Sequence, residues 1–132
     1  MVTPESDVVL RDGTTLRLRP LRRSDAQALD HFFSELSEIS VYFRYFSPVK
    51  TPGLAAQVIA AEGDDHFALV AETAGAIVAL AQYVRLSHDP MRAEAAFLVA
   101  DALQGRGVGT RLLEQLAEQA RDNGIAVFQA WV

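Results

Sequence analysis

The sequence predicts an α+β fold, on three observations. Near the N-terminus, Val8-Val9-Leu10 and Thr14-Thr15-Leu16-Arg17-Leu18-Arg19 flank Asp12-Gly13, and the second segment alternates apolar with polar residues, as one strand of a hairpin does. In the middle of the chain, three apolar segments of strand length follow one another with turn residues between them. Beyond them a glycine-rich turn opens an amphipathic segment of helical period, which leads into a last apolar run.

Each element has a local reason. Pro20 closes the hairpin, because it has no N–H with which to continue a ladder. Ser24-x-x-Gln27 has the form of a capping box, and Ala26, Leu29, Phe33 and Leu36 share one face of the helix it would open. Ile39, Tyr42, Phe43 and Phe46 repeat that spacing, so a second helix is expected until Ser47-Pro48 stops it. Thr51-Pro52 supplies an N-cap and a first-position proline for a short helix that Gly63 ends. The meander strands are expected at His66 to Glu72, Ile77 to Leu86 and Ala93 to Ala100, with Ala74-Gly75 as a tight turn between the first two. Val108, Leu112, Leu116 and Ala120 recur at four-residue intervals, the stripe of a helix that Asn123-Gly124 terminates. Ile125 to Val132 is then a last strand.

Composition narrows the classes. The 132 residues suffice for one packed core, so residues 1–132 are read as a single domain. Half the residues are apolar and 22% are charged, an ordinary globular balance. The absence of cysteine excludes disulfide and thiolate chemistry and fits a cytoplasmic protein. The N-terminal Met1-Val2-Thr3-Pro4-Glu5 has no basic region or long apolar core, so no secretory signal is expected. Apolar runs such as Ala76 to Ala81 fall far short of the ~20 residues that span a bilayer, so no membrane partner is expected. A net charge of −5 argues against a nucleic-acid partner, although Arg11, Arg17, Arg19, Arg22 and Arg23 make the N-terminal part locally basic, read here as a solvated strand face. His31, His66 and His88 are scattered with no neighbouring ligand set, so no metal is expected.

The run Gln104-Gly105-Arg106-Gly107-Val108-Gly109-Thr110 carries the chemistry. Glycine-rich backbone at a helix start turns several N–H groups toward one anion, and the helix dipole adds to the attraction, so a phosphate-bearing ligand is indicated. A dinucleotide fingerprint would need a glycine where Thr110 stands and an acid near Val127 or Phe128; a Walker loop would need a lysine after its last glycine. Neither is present. What remains, Gln-x-x-Gly-x-Gly on Gln104, Gly107 and Gly109, resembles the pyrophosphate signature of the GNAT superfamily of acetyl-CoA-dependent N-acetyltransferases. Upstream, Arg92-Ala93-Glu94-Ala95-Ala96-Phe97-Leu98-Val99-Ala100 resembles that family's fourth strand, with its catalytic glutamate at Glu94.

The resemblance covers the order of elements over the whole chain. It implies an α/β/α arrangement, a mixed and mostly antiparallel sheet flanked by helices, and acetyl-CoA as cosubstrate. Glu94 is then the base that takes a proton from an amine whose unperturbed pKa is near 10.4, directly or through a water. The alternation of a strand sets Glu94 and Leu98 on one face. By resemblance, the N–H of Leu98 donates to the thioester oxyanion, Val99 and Ala100 pair with the pantetheine amides, and the amides of Arg106, Gly107, Val108, Gly109 and Thr110 hold the pyrophosphate with Gln104 and Gly105. Arg106 and Arg111 are candidate charge partners, and Tyr83 is a spare ionisable group.

Leu10-Arg11-Asp12-Gly13-Thr14, Leu18-Arg19-Pro20-Leu21, Ser40-x-Tyr42-x-Arg44-Tyr45-Phe46 and Asp65-His66-x-Ala68-Leu69-Val70-Ala71 further resemble the acetyltransferase domain of bacterial Pat-type protein lysine acetyltransferases. That likeness implies a protein lysine as acceptor, with a small-molecule amine as the alternative. A reading from another class is a non-catalytic acyl-CoA-binding module, which would share the loop but not need Glu94. The family's further helix and two strands find no counterpart after Val132, so the domain is expected to be short at its C-terminus. An uncovered last strand would then favour a homo-oligomer or a strand-swapped dimer.

Overall fold

The computed structural model describes residues 5–36, 63 and 65–131. The helices expected over Ile39 to Phe46 and between Thr51 and Gly63 lie outside these residues. The described strands are β1 (Ser6–Val9), β2 (Thr15–Pro20), β3 (His66–Thr73), β4 (Ala76–Leu86), β5 (Asp89–Val99) and β6 (Val127–Trp131), which form one sheet in sequence order. Helix α1 runs Ala26–Ser34 and helix α2 Val108–Asp122. All pairings are antiparallel except β5 with β6, which is parallel because α2 carries the chain back between them.

Turn chemistry sets the hairpins. Between β1 and β2, Leu10 N–H donates to the Thr14 carbonyl at 2.8 Å, Gly13 takes φ +90°, and the Asp12 carboxylate accepts from Thr14 N–H at 3.0 Å. Ala74 and Gly75 both have positive φ, as the short turn between β3 and β4 requires. Past the C-terminus of α2, Ile125 N–H donates to the Ala120 carbonyl and Gly124 N–H to that of Arg121, the paired bonds of a Schellman ending. The expected last strand therefore begins at Val127, since Ile125 is occupied in closing the helix.

The two faces of the sheet bury different helices. On one face Leu69, Ala71, Ala81, Tyr83, Ala93 and Ala95 pack with Val108, Leu112, Leu116 and Ala120 of α2. On the other, Ala68, Val70, Leu80, Ala96 and Leu98 pack with Leu29, Phe32 and Phe33 of α1. From Phe67 to Ala71, Ala79 to Tyr83 and Ala93 to Leu98 the alternation sends odd-numbered side chains toward α2 and even-numbered ones toward α1. The bulge at Ala71–Glu72 inverts the order before Ala79, so Ile77 packs on the α1 side and Val78 on the other.

One expectation changes. The chain enters α1 through a 3-10 turn, Arg23–Asp25, and the carboxylate that reaches back is that of Asp25, which accepts from Arg22 N–H at 2.7 Å; Asp25 stands at the N-cap position of α1 in place of Ser24, without a side-chain bond to the helix. Asp25 is drawn inward by Arg19, which is itself only 3% exposed and donates to Asp25 at 2.8 and 2.7 Å and to Glu72 at 3.0 Å. The N-terminal arginines are therefore not one solvated face: Arg19 is a core cation, while Arg17 and Arg22 pair with Glu5 and Asp7 at the surface.

Candidate active site

Strand β5 supplies both polar side chains and free backbone. Glu94 stands opposite Val84 on β4 and Gln129 on β6, half-buried on the α1 face, and its carboxylate has no hydrogen-bond partner among the described residues. Ala96 and Leu98 follow it on that face, both buried.

The ladder between β5 and β6 runs from Arg92 to Ala96. Beyond it Phe97, Leu98 and Val99 have a strand partner on the β4 side only, among the described residues. Which amides face the uncovered side follows from parity. Ala100 N–H donates to the Val78 carbonyl of β4 at 2.8 Å, and Ala126 N–H donates to the Met91 carbonyl from the β6 side at 2.7 Å. In an antiparallel ladder bonding directions alternate, so even-numbered residues of β5 bond β4 and odd-numbered ones face β6. Leu98 N–H is thus directed at the Leu80 carbonyl, contrary to the expectation for an oxyanion donor; the amides on the open edge are those of Phe97 and Val99. Ala100 likewise has its N–H committed to the sheet, and the Val99 carbonyl accepts from Gln104 Nε2 at 3.3 Å.

The strand then turns through a short 3-10 segment, Asp101–Leu103, into the glycine loop. Gly105 and Gly107 have φ of +77° and +84°, whereas Gly109 does not, so positive φ is needed at 105 and 107 and not at both glycines of the recognised pattern. A Cβ at Gly105, Gly107 or Gly109 would meet nothing within 4 Å, which leaves the loop surface free for close approach by a ligand. Gly107 caps α2, and the first helical bond runs from Arg111 N–H to the Gly107 carbonyl at 3.2 Å. The N–H groups of Val108, Gly109 and Thr110 therefore lie outside the helix ladder at its positive end.

A cavity of about 500 Å³ adjoins this loop, lined by Arg11, Asp12, Gly105, Arg106 and Gly107. Arg106 is ion-paired with Asp12, so the turn of the first hairpin sits against the loop from the far end of the chain. Arg11 is exposed beside it. Nothing in the local sequence around Arg11 signals that neighbourhood, which arises from the sheet order. Arg111, the other expected charge partner, lines a separate groove with Ser6, Asp7 and Glu118.

Tyr83 lies on the opposite face from Glu94, fully buried, its hydroxyl accepting from Asn123 Nδ2 at 2.7 Å. His31 is exposed and 3.2 Å from Glu35, and no cluster suited to a metal ion occurs among the described residues. His66 and Gln82 were not singled out as site residues, yet both lie on the face of Glu94 and bond to each other at 2.9 Å. The signal available was a glutamine in the otherwise apolar run Ile77 to Tyr83.

Residues 28–132 match the acetyltransferase (GNAT) family. The chain belongs to that family. The acetyltransferase Pat of Mycolicibacterium smegmatis is 34% identical over 95% of this chain and 38% of its own length. Acetyltransferase PA5475 of Pseudomonas aeruginosa is 30% identical over 87% of this chain and 64% of its own. The crystal structure of the GNAT domain of S. lividans PAT superimposes with a TM-score of 0.82 at 39% identity, over 96% of this chain and 77% of that one. The chain thus spans less than two thirds of the length of these two curated relatives. GNAT proteins use acetyl-CoA, and the α/β sheet with a helix on each face is the GNAT fold.

Proposed function

We propose that this chain is the acetyl-CoA-dependent N-acetyltransferase domain of a protein that acetylates a primary amine, with a protein lysine as acceptor. The observation that carries the reading is the make-up of β5: a half-buried carboxylate at Glu94 and a backbone edge at Phe97 and Val99, both without a partner among the described residues, and the glycine loop directly after it. Lysine as the acceptor is supported by the similarity to Pat proteins.

The pyrophosphate of acetyl-CoA is held by the amides of Gly107 to Thr110 at the start of α2, with Gly105, Arg106 and Gln104 completing the loop. Pantetheine runs along the open edge of β5 beside Val99 and Ala100, as an added strand would. Glu94 accepts a proton from the ammonium, leaving a neutral amine whose lone pair attacks the thioester carbon. The carbonyl oxygen becomes an oxyanion, stabilised by an edge amide; parity gives this role to Phe97 or Val99 in place of Leu98. Collapse of the adduct re-forms the carbonyl and expels CoA thiolate, which takes the second proton from the nitrogen, directly or through water, leaving CoA thiol and the acetylated amine.

Acetyl transfer from acetyl-CoA to lysine peptides and to polyamines tests the reading. Glu94→Gln should keep CoA affinity while turnover near neutral pH drops ~10²-fold or more, the loss shrinking as pH rises and free amine becomes abundant. Wild-type chain that binds CoA but acetylates no amine would make it an acyl-CoA-binding module instead.

A further inference from the structure

On the α1 face of the sheet, strand register sets out two adjacent rows. His66, Val84 and Glu94 form one; Ala68, Gln82 and Ala96 form the next. Gln82 and Glu94 are therefore diagonal neighbours across β4 and β5, a separation of roughly 7–8 Å that long side chains bridge. Alanine stands on either side of Gln82 in its row, so neither row neighbour offers its amide a hydrogen-bond partner.

Gln82 is 2% exposed, and His66 is its one hydrogen-bond partner among the described residues. A carboxamide has two donor hydrogens and an oxygen with two lone pairs, and burying it unfilled is costly. The tautomer of His66 decides which end remains available. His66 Nδ1 is buried with no partner among the described residues, and a bare ring nitrogen there costs less than an orphaned N–H, so the proton belongs on Nε2. Burial lowers the His66 pKa below its ordinary value, which keeps the ring neutral. Nε2–H then donates to Gln82 Oε1, using one lone pair and fixing the amide's orientation.

We propose that the second lone pair of Gln82 Oε1 accepts a hydrogen bond from the acceptor nitrogen, making Gln82 a substrate contact beside Glu94 and His66 the residue that positions it. The pair of acceptors, one charged and one neutral, selects a group carrying at least two N–H bonds, as a primary ammonium does. This rests on the acetyltransferase reading above.

The test is calorimetric and uses the 132-residue chain. The probes are CoA and a conjugate in which a –CH2–CH2– link joins the CoA sulfur to a lysine Nε, whose secondary ammonium keeps two N–H bonds, one for each acceptor. Gln82→Met, close in shape, should weaken the conjugate about 3- to 10-fold while CoA affinity stays within about twofold. His66→Phe should act in the same direction, and the double variant should bind no worse than Gln82→Met alone, since one contact is lost in each. Should Gln82→Met not fold, His66→Phe alone gives the same reading. Conjugate affinity unchanged in a folded variant overturns the proposal, as does an equal loss for CoA and conjugate, which would mark a structural role. A wild-type chain that binds the conjugate no better than CoA also overturns it, whereas one that binds neither fails the acetyltransferase reading itself.

Discussion

Removing the Asp25 carboxylate should be among the most destabilising single changes in the molecule. Arg19 is 3% exposed and Asp25 6%, so neither charge is hydrated, and the guanidinium is held bidentately by Asp25 and singly by Glu72. In Asp25→Ala the cation stays buried with one anionic partner, Glu72, and the Pro20 carbonyl at 3.1 Å, and the Arg22 N–H loses its acceptor as well. Breaking a buried pair costs about 3–5 kcal/mol. Because Glu72 stays 3.0 Å from Arg19 and is itself 29% exposed, the lower end, about 3 kcal/mol, is expected. Against the 5–15 kcal/mol that holds ordinary domains together, that is a large fraction. Urea unfolding should show the midpoint falling by roughly 1–3 M at the slopes usual for small proteins. The double change Arg19→Met with Asp25→Leu should recover most of the loss, because it removes the charge together with its partner. Acid adds a second signature. Burial raises the Asp25 carboxyl, but donation from Arg19 and Arg22 outweighs it and holds the pKa below the ordinary value; donation from Arg19 does the same for Glu72. Both folded-state values are depressed, so the stabilisation is complete above the unfolded pKa values near 4 and is lost as pH falls through and below them. Asp25→Ala should flatten that acid limb. A loss below about 1 kcal/mol with the acid limb unchanged would show that the triad does not act as a buried pair.

Gly107→Glu should abolish CoA binding measured by calorimetry while leaving the circular dichroism of the fold intact, since the residue combines φ +84° with a carboxylate set where phosphate would approach; undiminished affinity would refute the loop's role. His66 gives a stability slope in a different window: its folded pKa is lowered, so stability is full above about 6.5 and declines as the unfolded chain takes up a proton below that. His66→Gln should remove that slope, and a wild-type stability that is flat between pH 7 and 5 would contradict it.

The sequence carries the elements more clearly than their partners. Period-two alternation in Thr15 to Arg19 and the four-residue recurrence of Val108, Leu112, Leu116 and Ala120 are local, and the strands and the helix follow them. The cap of α1 misleads because Ser24 and Gln27 satisfy a local rule while Asp25 answers to Arg19, a partner the local pattern does not contain. At the candidate site, Glu94 and the glycine loop could be singled out from sequence because both sit in one contiguous stretch. The amides on the open edge could not be: whether an amide bonds β4 or faces the edge depends on the phase of a ladder, and shifting that phase by one residue exchanges Leu98 for Val99 as the proposed oxyanion donor. Gln82 and His66 meet only through the register of β3 with β4.

The single parallel pairing also orders assembly in time. β1 with β2, and β3 with β4 and β5, close over turns of a few residues, whereas β6 reaches β5 only after the loop and α2 have crossed the sheet. Closure over a longer segment carries a larger entropy cost before any contact repays it, so the meander is the early nucleus and both β6 and the β1–β2 hairpin, which reaches β3 across a still longer connection, dock later. Substitutions in the β3–β4–β5 meander should slow folding, whereas those in β6 should chiefly speed unfolding. Since Ala126 and Val127 tie the far end of α2 to β5, the same late step fixes the helix whose first turn bears the glycine loop: the core can exist for a time without the site, and the site never without the core.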